Sequence, residues 1–166
     1  IAHAALRFDS QQFSSVPRRM YKVRGVKIKI PHNGTVDATN GRITYTGTFN
    51  GTLTTTKVWC SDPAWILFNL LTETRYGLGD HITEAQLDKY AFYSASVYCS
   101  ELVDDGAGGQ EPRFSCNTIL QARQDAYEVV NSLTSVMRSI SYWNAGSLTI
   151  SQDRPTDPSY LFNLSN

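Results

Sequence analysis

The stretch Asp62–Gly79, DPAWILFNLLTETRYGLG, decides how the rest of the chain is to be read. Asp62 suits a helix N-cap, because its carboxylate can accept from the free N–H groups of the first turn, and Pro63 suits the first helical position, where no N–H is needed. Trp65, Ile66, Phe68, Leu70 and Leu71 then crowd apolar surface onto a short helix, which must be covered by flanking strands and at least one further helix. Arg75 is expected near the negative end of the helix dipole, and Gly77 at a left-handed stop. These residues define a core and signal no catalysis.

Upstream of this helix the pattern alternates. Ile1–Phe8 reads as a strand and Ser10–Pro17 as a polar connection. In Met20–Ile30, MYKVRGVKIKI, the apolar Val26, Ile28 and Ile30 alternate with Lys27 and Lys29, the period of a half-buried strand. Gly25 suggests a bulge or bend of the kind found in strands that curve into barrels. Pro31–Asn40 reads as a turn-rich loop, and Gly41–Lys57 as a hairpin turning at Asn50-Gly51.

Downstream, a second helix is predicted from Thr83, with Gln86 completing a capping box. Leu87, Tyr90, Ala91, Ala95 and Tyr98 form its inner face and Asp88 and Lys89 its outer one, so that it makes a hairpin with the first helix. Asp104–Pro112 is predicted as a loop and Arg113–Leu120 as a short strand containing Cys116. A third helix follows near Gln124–Ser139, with Tyr127, Val130, Leu133 and Met137 on one stripe and Val129, Val136 and Ile140 on the next. Ile140–Gln152 reads as a hairpin around Asn144-Ala145-Gly146 with Leu148 and Ile150 inward, and Tyr160–Phe162 as the start of another strand. The fold class is α+β, with β-rich portions at 1–60 and 140–166 around an α-rich insertion, 61–139, of about three helices.

At 166 residues, with 41% apolar and 18% charged residues, the chain has the composition of one folded domain and not of a disordered one. Its longest aliphatic and aromatic run, Ala64–Phe68, is too short to span a bilayer. The chain is neutral overall, but its first thirty residues hold Arg7, Arg18, Arg19, Lys22, Arg24, Lys27 and Lys29 against Asp9 alone, which gives +6 there and −6 in the remainder. Such a division can make complementary faces between copies of a subunit. Specific nucleic-acid binding is not expected, since no basic helix, zinc motif or RNA-binding signature accompanies the charge.

Cys60, Cys99 and Cys116 match no zinc or redox spacing and read as small core residues; a Cys99–Cys116 disulfide is possible in principle, but no signal peptide is evident and a reducing cytoplasm is the expected site of assembly. His3, His32 and His81 are too scattered for a metal site. Asp104, Asp105 and Glu111 around three glycines supply hard oxygen ligands, as a calcium loop does, but lack the EF-hand order. No catalytic elbow, phosphate loop or dinucleotide fingerprint is present, so no cofactor is expected. Glu73 with Asp80 is the kind of carboxylate pair a glycosidase needs, and would require a cleft and one raised pKa. Aromatics such as Tyr93 and Trp143 could stack on sugars, although most aromatic positions fall on core-facing stripes. The chain starts inside an apparent strand and ends in a polar tail, as a piece of a longer protein would.

Five segments in order, DPAW (Asp62–Trp65), RYGLG (Arg75–Gly79), DGAGGQEPRF (Asp105–Phe114), Tyr142-Trp143 and QDRP (Gln152–Pro155), together with the strand Tyr21–Pro31 and the segment Tyr45–Asn50, resemble the tail tip attachment, or host specificity, proteins of lambda-like phages. The resemblance implies a virion structural protein at the distal tail tip, not an enzyme, with no catalytic residues to assign. It implies a trimeric, β-barrel-like hub that resembles baseplate hubs, contacts tail tube, distal tail and tape-measure proteins, and reaches the host receptor through regions outside this segment. Within such an assembly the basic residues Arg18, Arg19, Arg24, Lys27 and Lys29 are the candidate interface, facing the acidic Asp80–Glu111 region of a neighbouring copy.

Overall fold

In the computed structural model of the chain, which describes residues 5–9, 11–12, 15–16, 18–120 and 125–155, the first helix is α1, Pro63–Thr72, with Asp62 as N-cap. The Trp65 N–H donates to Asp62 Oδ1 at 3.0 Å. Pro63, Ala64, Trp65, Leu67, Phe68 and Leu71 are all buried, so the helix is covered on most sides. Its end differs from the expectation. Glu73, in extended conformation, is the C-cap, and the chain folds back over the last turn: Leu78 N–H donates to the Leu70 carbonyl at 2.9 Å, and those of Gly77 and Gly79 to the Glu73 carbonyl at 3.0 and 3.2 Å. A Cβ on Gly77 would lie 1.9 Å from the Leu70 oxygen, and one on Gly79 2.4 Å from the Thr72 oxygen. These glycines serve close backbone approach, not a left-handed stop, and Arg75 lies beyond the helix end.

The second helix, α2, is Lys89–Ser100, with Asp88 as N-cap accepting from the Tyr90 and Ala91 N–H groups. The predicted cap at Thr83 exists, with Thr83 N–H donating to Gln86 Oε1 at 2.9 Å, but it starts only a single 3-10 turn, Glu84–Gln86. The buried face of α2 is Phe92, Ala95, Ser96 and Cys99, one face at helical spacing, while Tyr90 is exposed. Phe92 meets Phe68 of α1 edge-on, with ring centroids 5.3 Å apart. The third helix, α3, is Ala126–Val136, with Asp125 as N-cap; Val130, Leu133 and Met137 are buried as read, whereas Tyr127, Val136 and Ile140 are exposed.

The described strands form three separate two-stranded antiparallel sheets and no closed barrel. In the first, β1 (Gly34–Val36) pairs with β2 (Ile43–Tyr45). β1 thus lies inside the expected loop Pro31–Asn40, and the turn of this hairpin runs through Asp37 and Gly41 instead of Asn50-Gly51. Asn50-Gly51 is a turn nonetheless, with Thr52 N–H on Asn50 Oδ1 at 3.0 Å, but the residues after it return to the Ile28 region: Ile28 bridges Val58, and Pro31 bridges Leu53. The predicted strand Met20–Ile30 is therefore paired only at its end, and Val26 is exposed while Ile28 and Ile30 are buried. Gly25 shows no bulge, and residues 5–8 form no strand.

In the second sheet β3 (Leu102–Asp104) pairs with β4 (Gln110–Pro112), so the loop Asp104–Pro112 is a hairpin tip, and no strand covers 113–120. In the third, β5 (Ser139–Asn144) pairs with β6 (Ser147–Gln152). Ala145 and Gly146, with φ of 48° and 85°, make the two-residue turn that matches strand twist. Leu148 and Ile150 face the core, as their alternation predicts. Gln124, the expected start of the third helix, the first four residues of the predicted strand Ile1–Phe8, and the predicted strand start Tyr160–Phe162 lie outside the described residues. One apolar core runs from Ile28 and Ile43 through α1 and α2 to Leu133, Leu148 and Ile150, and the hairpin of β3 and β4 contributes no residue to it.

Candidate assembly interface

Residues 18–27 have the composition of a strand but, among the described residues, no strand beside them. Among the described residues no backbone hydrogen bond ties this segment to the rest of the chain; the first comes at Ile28, whose N–H donates to the Val58 carbonyl at 2.8 Å. Its apolar side chains are uncovered: Met20 is 99% exposed, Val23 75%, and Tyr21 and Val26 more than half. Between them stand Arg18, Arg19, Lys22, Arg24 and Lys27, with no carboxylate.

The five candidate interface cations differ in what holds them. Arg19 lies over the Phe8 ring at 5.0 Å. Arg24 lies over the Trp59 ring at 5.3 Å and donates to the Ala38 carbonyl, so it anchors the segment to its own chain. Arg18 and Lys27 have no ionic or hydrogen-bonding partner among the described residues. Lys29, also exposed, borders a shallow groove of about 210 Å³ with Lys57, Phe68, Glu73 and Glu84. The chain does not fold its acidic hairpin onto these cations through any described ion pair; the described pairs are Lys57–Glu73, Lys89–Glu84, Arg113–Glu101 and Arg138–Asp153.

The hairpin tip spends part of its carboxylate capacity on its own backbone. Asp104 Oδ1 accepts from Gly106 N–H at 2.8 Å, and Asp105 Oδ1 from Ala107 and Gly109 at 2.8 and 2.9 Å. The latter two amides hold the Asp105 carboxyl below its usual range. This is the wiring of a tight turn, and among the described residues no group of three His, Cys, Asp or Glu is placed to hold a metal.

Of the carboxylates Glu73 and Asp80, Glu73 is engaged by a cation of its own chain. Glu73 Oε2 accepts from Lys57 Nζ at 3.1 Å, which lowers the Glu73 pKa. A general acid needs the opposite shift. Tyr93 is a packing residue, stacked on Phe49 at 4.6 Å with its hydroxyl accepting from Asn33 Nδ2 at 3.0 Å. Trp143, by contrast, is 56% exposed beside the exposed Tyr142 on β5.

One cluster was not legible beforehand. Asp62, read as a cap, is a buried carboxylate whose Oδ2 also accepts from Ser96 Oγ at 2.6 Å and Ser100 Oγ at 3.5 Å. The Trp65 indole N–H donates to the Tyr45 hydroxyl at 2.9 Å, and that hydroxyl is hydrogen-bonded to Ser96. Burial pushes the Asp62 pKa up against the pull of these hydrogen bonds. Burial and the nearby Asp62 charge push Cys60 and Cys99 up to about 12 and Cys116 upward. All three thiols are free and buried, the state of small core residues and not of nucleophiles. The small polar Ser96, at the helical spacing of the apolar Phe92, Ala95 and Cys99, is the one sequence signal that could have pointed to a buried polar partner.

No family model matches the chain. The chain is 39% identical over 160 residues, 96% of its length, to the tip attachment protein J of Escherichia phage SECphi27. It is 34% identical over 148 residues, 89% of its length, to the protein of the same name from Escherichia phage SECphi4. It spans only 13% and 12% of the lengths of these two relatives. Near-complete alignment at this identity leaves no large part of the sequence to another origin, and the chain belongs, over the extent it covers, to the phage tip attachment protein J family.

Proposed function

We propose that the chain is a structural segment of a longer phage tail tip protein, and that it works by assembly and not by turnover. The observation that carries this reading is the uncovered basic segment 18–27 in a chain otherwise built around one core, set beside relatives that are named for tip attachment. In this role copies of the longer protein form a trimeric hub in the virion. The cations Arg18, Arg19, Arg24, Lys27 and Lys29 of one copy face the acidic Asp80–Glu111 region of the next, and the hub links tail tube, distal tail and tape-measure proteins to receptor-binding regions elsewhere in the protein. Among the described residues the three short sheets have open edges, so a barrel-like hub would close between copies or with further segments of the longer chain.

The test is the double reversal Lys27→Glu/Lys29→Glu in the phage, since these side chains have no ionic or hydrogen-bonding partner among the described residues. The expected result is loss of assembled tail tips, with the melting temperature of the isolated chain unchanged. Normal tails carrying the variant would refute the interface. A second reading, a receptor- or carbohydrate-binding surface, is favoured by the exposed Tyr142 and Trp143; saturable binding of the chain to host cells that is lost in Trp143→Ala would support it.

A further inference from the structure

We propose that residues 18–27 of one copy dock as an added strand on the outer edge of β3, Leu102–Asp104, of a second copy. This rests on the assembly reading above and gives its contact a mode. Exposed apolar side chains on an extended segment without backbone partners are what strand addition requires: the main chain supplies hydrogen bonds and alternate side chains supply fit. Met20, Tyr21, Val23 and Val26 are that apolar set.

The receiving edge follows from chemistry. β3 and β4 pair with each other and with no other described strand, so both edges are open among the described residues. β4 contains Pro112, which has no N–H to offer, and is blunted as a template. β3 keeps its donors and exposes Leu102. The occupant is a second copy by charge. Residues 18–29 carry six cations and no carboxylate, whereas Glu101–Arg113 carries Glu101, Asp104, Asp105 and Glu111 against Arg113 alone. The open edge of β5, flanked by Ile140 and Tyr142, is apolar and without carboxylates, and so matches the segment less well.

The test is cysteine cross-linking in assembled tails. The chain's own thiols are buried, and tails without the introduced cysteines control for thiols elsewhere, so that a bismaleimide reports on the introduced pair. The double variant Val23→Cys/Leu102→Cys is expected to give covalent chain dimers and higher multiples that neither single variant gives. Tails that assemble without this cross-link, a cross-link confined to one chain, or one from Val23→Cys to Tyr142→Cys on β5 in its place, each overturn the proposal. Absence of the chain from wild-type tails by mass spectrometry is a separate outcome and sinks the tail tip reading itself.

Discussion

Trp65→Ala is the sharpest test of the core. The side chain is completely buried, with its ring 5.2 Å from Phe68 and 6.3 Å from Phe49, and its indole N–H on the Tyr45 hydroxyl at 2.9 Å. Truncating a buried aromatic costs about 3–5 kcal/mol through lost transfer energy and the cavity left behind. The broken hydrogen bond adds no more than about 1 kcal/mol, because the Tyr45 hydroxyl keeps Ser96 as a partner. With roughly 2–4 °C per kcal/mol for a chain of this size, the melting temperature falls by about 6–20 °C. The assay is urea and thermal unfolding followed by circular dichroism, with Trp143→Ala as control, since a side chain 56% exposed should change stability by no more than about 0.5 kcal/mol. Equal effects of the two substitutions, or a loss below about 1 kcal/mol for Trp65→Ala, would refute the assignment of α1 as the core helix.

Three further outcomes are expected. Gly77→Ala should destabilise by at least about 2 kcal/mol in urea melts, because its methyl would lie 1.9 Å from the Leu70 oxygen and the backbone must shift. Burial holds the Asp62 pKa in the folded chain above its ordinary value, so the folded state binds its proton more tightly than the unfolded one; stability should fall as pH rises from the unfolded pKa through the folded pKa and then level off. Asp62→Asn should remove this component of the slope in denaturant titrations across the acidic range. The thiols of Cys60, Cys99 and Cys116 should resist a disulfide reagent in the native chain and react at once in denaturant, at rates measured by absorbance.

The helices were legible because their signals are local. Asp62-Pro63 fixes the start of α1, and the spacing of Val130, Leu133 and Met137 fixes the buried stripe of α3. The turn at Ala145-Gly146 was legible for the same reason, since two residues at positive φ are specified by the turn itself. What failed was partner choice. The alternation of Ile28 and Ile30 identified an extended, half-buried ribbon but not that Val58 would face it, and Asn50-Gly51 identified a turn but not that the chain leaving it would pair with the Ile28 region instead of β2. The start of α2 was misplaced because Thr83 and Asp88 are both competent caps, and only Asp88, braced by Thr149 Oγ1 at 3.2 Å, begins a helix that packs. Gly77 was read for its conformational freedom when its missing side chain was the property in use.

Two placements run against ordinary polarity, and each explains the other's neighbourhood. A carboxylate, Asp62, sits at the centre of the core, while Met20, Tyr21, Val23 and Val26 stand in water. The buried carboxylate is satisfied within the chain: one oxygen caps α1 and the other takes hydroxyl donors from α2, so the two helices are joined at a defined register by groups that would be costly to leave unpaired. A core locked in this way has no reason to refold around a partner, and any contact it makes must come from what it leaves outside. The segment before Ile28 is what it leaves outside, exposed and charged, held to the rest of the chain by Arg24 on Trp59 and the Ala38 carbonyl. Adding that segment to a neighbouring edge commits less ordering entropy than docking a free chain would, since the end that joins the core is already fixed by the Ile28–Val58 bridge.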